Sequence, residues 1–269
     1  MKNIHLIYRH TASVVLYLTR AAVLIGLIVV AYQVYELLIS KIIDGDYIVP
    51  FILLWLLSAY IVLPRVHRRL TKLYLPSYFV GRARTGDGLL GDPINIAILG
   101  DEKTIHKAMV EAGWVQAEKL SLESTLKMIR STVLRKSYPS APVNSMYVFS
   151  RKQNFAYQQE LNDNPHTRHH IRFWKTPKNW WLPGGSRADW VCAATLDTHV
   201  GISMLTGQIT HKIEENTDSE RDYVVNTLRN TGLVDVVDVQ KHFTTAFHDR
   251  SGGGDMIRTD GSLPFVKLK

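Results

Sequence analysis

Two long apolar runs near the N-terminus constrain this chain more than any other feature. Residues 21–43 (AAVLIGLIVVAYQVYELLISKII) are almost entirely apolar, and residues 47–63 (YIVPFILLWLLSAYIVL) carry no charge. About 20 helical residues cross the hydrocarbon core of a bilayer, and neither run has the polar stripe of a helix that packs on a soluble core. The sequence therefore predicts an N-terminal membrane hairpin over residues 1–70, with spans at about 21–43 and 47–63.

The charges around these runs predict an orientation. Residues 1–91 hold ten Lys and Arg against four Asp and Glu, so this third carries 10 − 4 = +6 of the net charge of +8. Asp44 and Asp46 lie between the runs and the basic residues lie outside them, which by the positive-inside rule places both termini and the following domain in the cytoplasm. The single cysteine, Cys192, fits a reducing compartment.

The distribution of basic residues also indicates which binding partners to expect. Residues 71–92 predict a basic juxtamembrane linker that ends in the glycine-rich stretch 86–91, and such a segment suits anionic lipid headgroups. The rest of the chain is close to neutral, whereas a nucleic-acid-binding domain carries its basic patch on its own fold. We therefore expect the lipid bilayer, and no nucleic acid, as a partner.

Beyond the linker the pattern predicts an α+β domain with a mostly antiparallel sheet and about three helices, because helices and strands come in blocks. Two helices are expected after N-caps at Asp101 and Ser121, and a third from Thr217 to about residue 230. The buried stripe of the second helix is predicted to be Leu122, Leu126, Ile129 and Val133. Strands are predicted at 94–99, 146–150, 166–174, 190–197, 200–205, 209–213 and 234–239. Residues 243–247 and 263–268 are expected to pair as a hairpin around glycines 252–254.

Polar residues at inward positions are the candidate site. In the strand at 166–174, period-two counting puts His169 on one face with Ile171 and Phe173. Asp197 ends the apolar central strand. His211 lies on the apolar face of its strand, and Arg221 on the inward stripe of the last helix. Unpaired burial of such groups is costly, so His169, Asp197, His211 and Arg221 should meet one another or a ligand.

Two interpretations of these four residues stay open. As a catalytic site they could perform acid–base chemistry on an anionic substrate, or hold a metal through two histidines and Asp197. As a structural feature they would form a hydrogen-bond network between the strands and the last helix. The sequence indicates no particular metal or cofactor, since neighbouring His169 and His170 point to opposite faces of a strand.

The opposite face of the same strand carries His170 and Arg172, beside Arg168. This face is either solvated or the wall of an anion pocket, and we take His170 and Arg172 as candidate substrate-anion ligands. The loop at 175–182 holds Trp180 and Trp181 between lysines. It suits a membrane interface, and equally a loop that folds back onto the domain.

Several blocks of sequence resemble the LssY C-terminal domain family. They are Arg168-His169-His170-Ile171-Arg172-Phe173-Trp174, Trp190 with the run 193–197, Thr210-His211-x-Ile213, Asp218-x-Glu220-Arg221-Asp222, and the shorter segments 93–95 and 138–143. The resemblance covers about residues 92–248. It predicts a domain at 93–248, followed by a C-terminal tail or hairpin strand at 249–269. Lys212 stands where family members often carry a second histidine.

The resemblance implies a bacterial protein of unassigned activity with a label of secretion component, and it brings no established catalytic residues. Some members look to be fused to membrane modules of the phosphatidic-acid-phosphatase or DedA-like type, which implies lipid or envelope metabolism. We therefore expect a protein of the bacterial inner membrane that acts as a hydrolase on a phosphate-bearing lipid or envelope substrate. The alternative is a non-catalytic interaction module of an envelope or secretion assembly, with a membrane phosphatase or other envelope component as partner.

Overall fold

The computed structural model of the chain describes residues 25, 28–29, 32–37, 39–40, 48–74, 79, 81–119, 121–134, 137–161, 164–244 and 247–269. The chain divides into two compact units, Met1–Ile61 and Val62–Lys269. The described residues between 25 and 40 are helical. The acidic turn at 44–46 and much of the predicted first span lie outside the described residues.

One described helical segment, Ile48–His67, is long and apolar enough to cross a membrane. It consists of α1 (Ile48–Leu57), a π-helical turn (Ser58–Val62) and the start of α2 (Leu63–Tyr74). This segment covers the second predicted span. Within the described part of the chain no second helix meets the same criteria of length and composition, so the predicted pair of spans is not confirmed as a pair.

The unit Val62–Lys269 is an α+β domain with few helices, as predicted. After α2 its helices are α3 (Glu102–Glu111), α4 (Leu122–Leu134) and α5 (Thr217–Asn230). The first seven strands are β1 (Arg82–Thr85), β2 (Leu90–Pro93), β3 (Ile96–Leu99), β4 (Val115–Gln116), β5 (Met146–Val148), β6 (Arg151–Lys152) and β7 (Phe155–Leu161). The others are β8 (Asn164–Lys175), β9 (Trp190–Ile202), β10 (Ile209–Ile213), β11 (Val234–Gln240), β12 (His248–Arg250), β13 (Met256–Arg258) and β14 (Leu263–Leu268).

The main sheet has the strand order β11-β14-β3-β9-β8-β7-β4, and β10 pairs with the second half of β9. Its described pairings are antiparallel except for β14 beside β3. A smaller sheet has the order β2-β1-β5-β6, and β12 and β13 form a separate hairpin. The strand β7 is a finding that the sequence pattern did not predict. The run predicted at 190–197 and the first residues of the run predicted at 200–205 form the single strand β9, and residues 203–205 lie in the turn that follows.

The main sheet is covered on both faces. One face packs its aromatic and aliphatic side chains, such as Ile171 and Phe173, against α3 and α5. The other face, with Trp174 and Ala193, packs against the smaller sheet and the chain that follows Trp180. Since both faces are apolar where they are covered, a residue can point to either side of β8 and still be buried.

Helix ends follow local capping chemistry. Asp101 caps α3 as predicted, because its side chain accepts a hydrogen bond of 2.6 Å from the Thr104 amide. The cap of α5 is one residue earlier than predicted. The Asn216 side chain accepts hydrogen bonds from the backbone amides of Asp218 and Ser219. The Thr217 hydroxyl instead donates to the Arg258 carbonyl at 3.1 Å.

Helix α4 contradicts the predicted stripe. Leu122 is 87% exposed and Leu126 is 67% exposed, and the side chains of Ile129 and Val133 lie outside the described residues. The buried residue of the first turn is Ser124, whose hydroxyl donates to the Lys119 carbonyl at 3.0 Å. At the start of this helix Ser124 is therefore buried, whereas Leu122 and Leu126 face solvent.

The C-terminal strand also differs from prediction. Leu263–Leu268 lies between β11 and β3 in the main sheet and does not pair with residues 243–247. The hairpin around glycines 252–254 is formed by β12 and β13 instead. An apolar strand that is buried along most of its length is more stable in the middle of a sheet than at an exposed hairpin, where its apolar faces would meet water. Residues 249–269 are thus part of the domain rather than a tail.

The segment predicted as a linker is partly folded. Its residues 82–93 form the hairpin of β1 and β2, and Gly88 has a φ of +87° in the connecting turn. Asp92, near the end of this hairpin, is buried. The predicted linker therefore contributes a carboxylate to the interior of the domain.

Asn95 connects three elements and gives a test of the fold. Its side chain exchanges two hydrogen bonds with the backbone of Ala194, at 2.8 and 2.9 Å, and donates to the Thr217 carbonyl at 3.3 Å. We expect Asn95→Ala to lower the free energy of unfolding by about 2–4 kcal/mol, because it leaves buried backbone groups without partners. Urea denaturation of the detergent-solubilised chain, followed by tryptophan fluorescence, measures this change.

The matched control is Asn226→Ala, at an exposed position of α5. Alanine favours a helix at least as well as asparagine, so this variant should unfold within about 0.5 kcal/mol of the wild type. Equal losses in the two variants would contradict the connecting role of Asn95.

Candidate functional site

The register between β8 and β9 builds the candidate site. Arg168 lies opposite Asp197, His170 opposite Thr195, and Arg172 opposite Ala193. Residues directly opposite each other in an antiparallel pair point to the same side. Arg168, His170, Arg172 and Asp197 therefore share one face of the sheet, and this face turns toward the smaller sheet.

A β-bulge adds His211 to the same face. Ile213 pairs with Asp197 and Lys212 with His199, so Thr198 is an extra residue in β9. After the bulge, His211 pairs with Val200, and both line the same pocket as Asp197. Without the extra residue, simple alternation would place Asp197 and Val200 on opposite faces.

Lys212, which stands where family members often have histidine, points away from this site. Its ammonium group lies 3.0 Å from Asp255 and donates to the Gly253 carbonyl at 2.8 Å. The loop at 251–255 therefore holds this side chain.

The shared face forms one wall of a pocket of about 290 Å³. Its polar lining residues are Asp92, Asn144, Arg168, His170, Arg172, Asp197, Thr210 and His211. Its apolar lining residues are Met128, Pro142, Val143, Met146, Val200 and Ile213. The pocket is therefore amphiphilic, with a charged wall from the sheet and an apolar wall from α4 and the loop before β5.

Asp197 lies between two histidines. Its Oδ1 is 3.4 Å from His170 Nδ1, and its Oδ2 is 3.8 Å from His211 Nδ1. The guanidinium Nε of Arg168 lies 3.5 Å from Oδ2. These contacts are longer than ordinary hydrogen bonds, so the two histidines and Arg168 surround the carboxylate without binding it tightly.

The tautomer of His211 follows from its neighbour. Arg168 Nη2 lies 3.0 Å from His211 Nε2, and a guanidinium can only donate. His211 Nε2 is therefore the acceptor, so a neutral ring carries its proton on Nδ1, on the side of Asp197. The Asp197 carboxylate lies on the side of this N–H, with Oδ2 3.8 Å from Nδ1, which is too long for a direct hydrogen bond.

The second carboxylate of the pocket is Asp92, which accepts a short hydrogen bond from Arg172. Burial opposes its ionisation, but Arg172, His170 and Arg82 together lower the pKa of Asp92 below its ordinary value of 3.8. His170 Nε2 lies 3.8 Å from Asp92 and 2.7 Å from the Thr195 hydroxyl. Asp92 therefore fixes Arg172 as an ionised pair at the back of the pocket.

Three buried nitrogens of the pocket have no hydrogen-bond partner among the described residues: Arg168 Nε, His170 Nδ1 and Arg172 Nε. Two of them are obligate donors, and the third donates in the Nδ1–H tautomer of the neutral ring or when the ring is protonated. An anion in the pocket would satisfy such donors. The described residues contain no group of three or more His, Cys, Asp or Glu side chains arranged to hold a metal ion.

His169 lies on the opposite face of β8, against α5. Its Nδ1 donates to Glu220 at 2.6 Å, and its ring stacks on Tyr223 with centroids 4.1 Å apart. Period-two counting assigned its face correctly. The structure does not bring His169 to Asp197 and His211. Both faces of this sheet are buried, so a residue that points into the domain can lie on either face.

Arg221 is also separate from the pocket. Its guanidinium donates to Asp260 at 2.7 Å, to Asp218 at 3.0 Å and to Asp222 at 2.8 Å. Burial alone would lower the pKa of Arg221, but these carboxylates raise it. This cluster connects the start of α5 to the chain before β14, so of the four residues predicted as one site the structure brings together only Asp197 and His211.

The pocket thus combines the predicted Asp197 and His211 with His170 and Arg172, which were predicted as anion ligands. Two members were not predicted as site residues. Arg168 was assigned to the right face but to no role, and its position opposite Asp197 was the available signal. Asp92 lay in a segment interpreted as a linker, where its position after a glycine turn gives little indication of burial.

The family of the chain is clear from comparison with known proteins. A family model described as the LssY C-terminus matches residues 72–263, and the chain belongs to this family. The match begins before the predicted boundary at residue 93 and extends to the start of β14. Comparisons with curated proteins and with solved structures give no match.

The ionised state of Asp92 gives a prediction on pH. Because the folded pKa is lowered, the Asp92–Arg172 pair stabilises the fold above about pH 4, and this stabilisation is lost as pH falls through the folded pKa. We expect Asp92→Asn to lower the free energy of unfolding by about 3–5 kcal/mol at pH 7, since it leaves a buried guanidinium without its counter-charge. The difference from wild type should narrow steadily between pH 5 and pH 3, as measured by urea denaturation.

Asp235→Asn is the control for Asp92→Asn. Asp235 also has a lowered pKa, caused first by its hydrogen bond to Lys267, but this pair is exposed. Its removal should leave the unfolding curve close to that of wild type at every pH. A difference between wild type and Asp92→Asn that stays constant from pH 7 to pH 3 would contradict the ionised pair.

His169 gives the corresponding test outside the pocket. We expect His169→Ala to lower the free energy of unfolding by about 1–3 kcal/mol, because the buried Glu220 loses its hydrogen-bond partner. His248→Ala, at an exposed position of β12, is the matched control and should show little change. Denaturation curves of the two variants measure this, and equal stability of both would mean that the His169–Glu220 bond contributes nothing to the fold.

Proposed function

We propose that this protein is a membrane-anchored hydrolase that acts on a phosphate-bearing amphiphile through the pocket around Asp197. The observation that carries the proposal is the placement of His170 and His211 on the two oxygens of one buried carboxylate, within reach of two arginines. Imidazoles oriented by a carboxylate are general acid–base groups, and guanidinium groups bind phosphate oxygens. The acidic partner Asp92 holds one of these arginines in place.

In this proposal, Arg168 couples substrate binding to the base. Its guanidinium donates to His211 Nε2, the nitrogen that would accept a proton from water. An anionic group that draws Arg168 to itself would release Nε2 for that purpose. His211 would then deprotonate the attacking water, Asp197 would stabilise the resulting imidazolium, and Arg172 would hold the phosphate.

Water is the nucleophile that the pocket favours. The described residues that line it include no serine or cysteine, and Cys192 lies fully buried in β9. Burial raises the pKa of the Cys192 thiol well above its ordinary value, so it is not a thiolate nucleophile. The acid–base pair is therefore assigned to the activation of water and the protonation of the leaving group.

The apolar wall indicates the rest of the substrate. Met128, Val143 and Met146 line the same pocket as the two arginines. A small hydrophilic phosphate would leave this wall in contact with water, whereas an amphiphile would cover it with its first methylenes. A phosphate-bearing lipid fits this combination, and the apolar helix Ile48–His67 would anchor the domain in the bacterial inner membrane that contains such lipids.

The alternative is a non-catalytic interaction module in an envelope assembly. It is favoured by the bond between Arg172 and Asp92 and by the contacts of Arg168 with Gln158 and His211, which already engage the cationic groups. In that case the pocket would bind a phosphorylated headgroup without cleaving it. Binding without turnover separates this alternative from the hydrolase.

The test is phosphate release from phosphatidate and lysophosphatidate by the full-length chain in detergent micelles. We expect His211→Gln to lower the rate by about 10²-fold or more, the usual contribution of a general base. His199→Gln is the matched control, because His199 is an exposed residue that pairs with Lys212 in the same hairpin. It should keep the wild-type rate.

Two outcomes would overturn the proposal that the protein is a hydrolase. One is the same rate for wild type and His211→Gln. The other is no phosphate release by wild type from either lipid, while equilibrium binding of the lipids is detected and is weakened in Arg172→Gln. That second result would favour the interaction module.

A further inference from the structure

The hairpin between β9 and β10 ends in an exposed apolar tip, defined here as residues 202–205. Ile202 is 59% exposed, Met204 is 77% exposed and Leu205 is 49% exposed. Three large apolar side chains within four residues form a patch of the kind that marks a membrane or protein contact. We infer that this hairpin tip inserts into the bilayer interface and holds the mouth of the pocket at the lipid surface.

The tip is attached to the helix that would leave the bilayer. His67 Nε2 lies 3.0 Å from the carbonyl oxygen of Leu205, and His67 is the last residue of the apolar segment Ile48–His67. Arg65 and Arg69 are exposed on either side of His67. The end of a membrane span lies at headgroup level, and basic residues there contact anionic lipids. Leu205 therefore lies at the same level, with its side chain available to the acyl region.

A glycine-rich loop braces the tip. The Met204 amide donates to the Gly253 carbonyl at 3.2 Å, and the Ser203 hydroxyl donates to the Gly252 carbonyl. At Gly254, with φ of +89°, an added Cβ would lie 2.9 Å from the Met204 side chain. The tip is thus held in position before any contact with lipid, which reduces the ordering entropy lost on insertion.

The tip is continuous with the pocket. Ile202 pairs with residue 209, and Val200 pairs with His211 two positions further along. Alternation places Ile202 on the same face as Val200 and His211, which line the pocket. Two residues of a strand span roughly 7 Å, so an apolar path of that length leads from the lipid-facing tip to His211.

This continuity deepens the proposed function, and it rests on the membrane anchor proposed there. The ligand would enter from the bilayer, with its phosphate against Arg168 and Arg172 and its chain along Ile202. The ligand class is therefore a membrane-resident amphiphile rather than a soluble phosphate ester.

The loop with Trp180 and Trp181 is the competing membrane contact. It connects β8 to β9 at the opposite end of β9 from the tip, roughly 40 Å away along a strand of this length. Trp180 packs against Phe149 with ring centroids 5.3 Å apart, and Arg187 lies 3.9 Å over the Trp181 ring. These contacts favour a loop folded onto its own domain, so the tip is the better candidate.

A fluorescent probe at single positions tests the inference. Met204→Cys, Lys178→Cys and Val49→Cys place the probe at the tip, in the tryptophan loop and in the apolar helix of the full-length chain. Native Cys192 is fully buried and does not compete for the label. The chain is reconstituted into phosphatidylcholine–phosphatidylglycerol vesicles that contain lipids with a shallow spin-label quencher.

We expect the probes at positions 204 and 49 to emit at shorter wavelength and to lose most of their emission to the quencher, while the probe at 178 stays water-like. Quenching at 49 but not at 204 would overturn insertion of the tip and leave the anchor intact. Quenching at 178 but not at 204 would assign the contact to the tryptophan loop. No quenching at any position would overturn the anchor and the tip together, and none of these readings depends on phosphate release.

Discussion

The pairing of β8 with β9 is the interaction on which the rest of the domain depends. Its register runs without a break from Arg168 opposite Asp197 to Lys175 opposite Trp190. Because opposite residues share a side, one register sorts every side chain of both strands at once. Phe173 and His169 go toward the face that α3 and α5 cover, and the arginines, His170 and Trp174 go toward the smaller sheet. A shift by one residue would exchange these two sets and leave both the core and the pocket unformed.

The domain holds three clusters of charged side chains, and they differ in how fully their hydrogen-bonding groups are paired. His169 is bonded to Glu220, and Arg221 has carboxylate partners on three residues. Around Asp197, by contrast, the contacts of the two histidines and of Arg168 Nε are long, and buried nitrogens have no hydrogen-bond partner among the described residues. Burial of a charge is costly unless it is well paired. A cluster that is incompletely paired inside a pocket is therefore better explained by a ligand than by stability.

Much of the fold was accessible from local sequence signals, and the site was only partly so. Capping chemistry predicts the cap at Asp101 and the start of α5 at Thr217. Period-two alternation predicts which residues of β8 share a face, and the apolar pattern predicts the limits of β10. The predictions that were wrong concern residues whose placement depends on contacts with distant parts of the chain. Leu263–Leu268 enters the middle of the sheet, Asp92 is buried by a sheet that forms around it, and α4 presents Leu122 and Leu126 to solvent while Ser124 is buried. Alternation also could not reveal that Thr198 is an extra residue, since a bulge exists only relative to the partner strand.

The volume of the pocket limits how far from a membrane it could bind an amphiphilic ligand. At about 290 Å³ it holds a phosphorylated headgroup and a few methylenes, not a complete lipid. Moving a chain of about 16 carbons from the bilayer into water costs roughly 12 kcal/mol, at about 0.8 kcal/mol per CH₂. A domain that lifted its substrate away from the membrane would lose that amount from its binding energy. If the hairpin tip inserts into the bilayer as we infer, a pocket lined by Val200, two residues from Ile202, would avoid the loss, because the chain would stay in the bilayer while the headgroup reaches His211. One proposed placement of the domain, with the end of β9 at the membrane surface, would therefore account for both the amphiphilic pocket and the apolar hairpin tip.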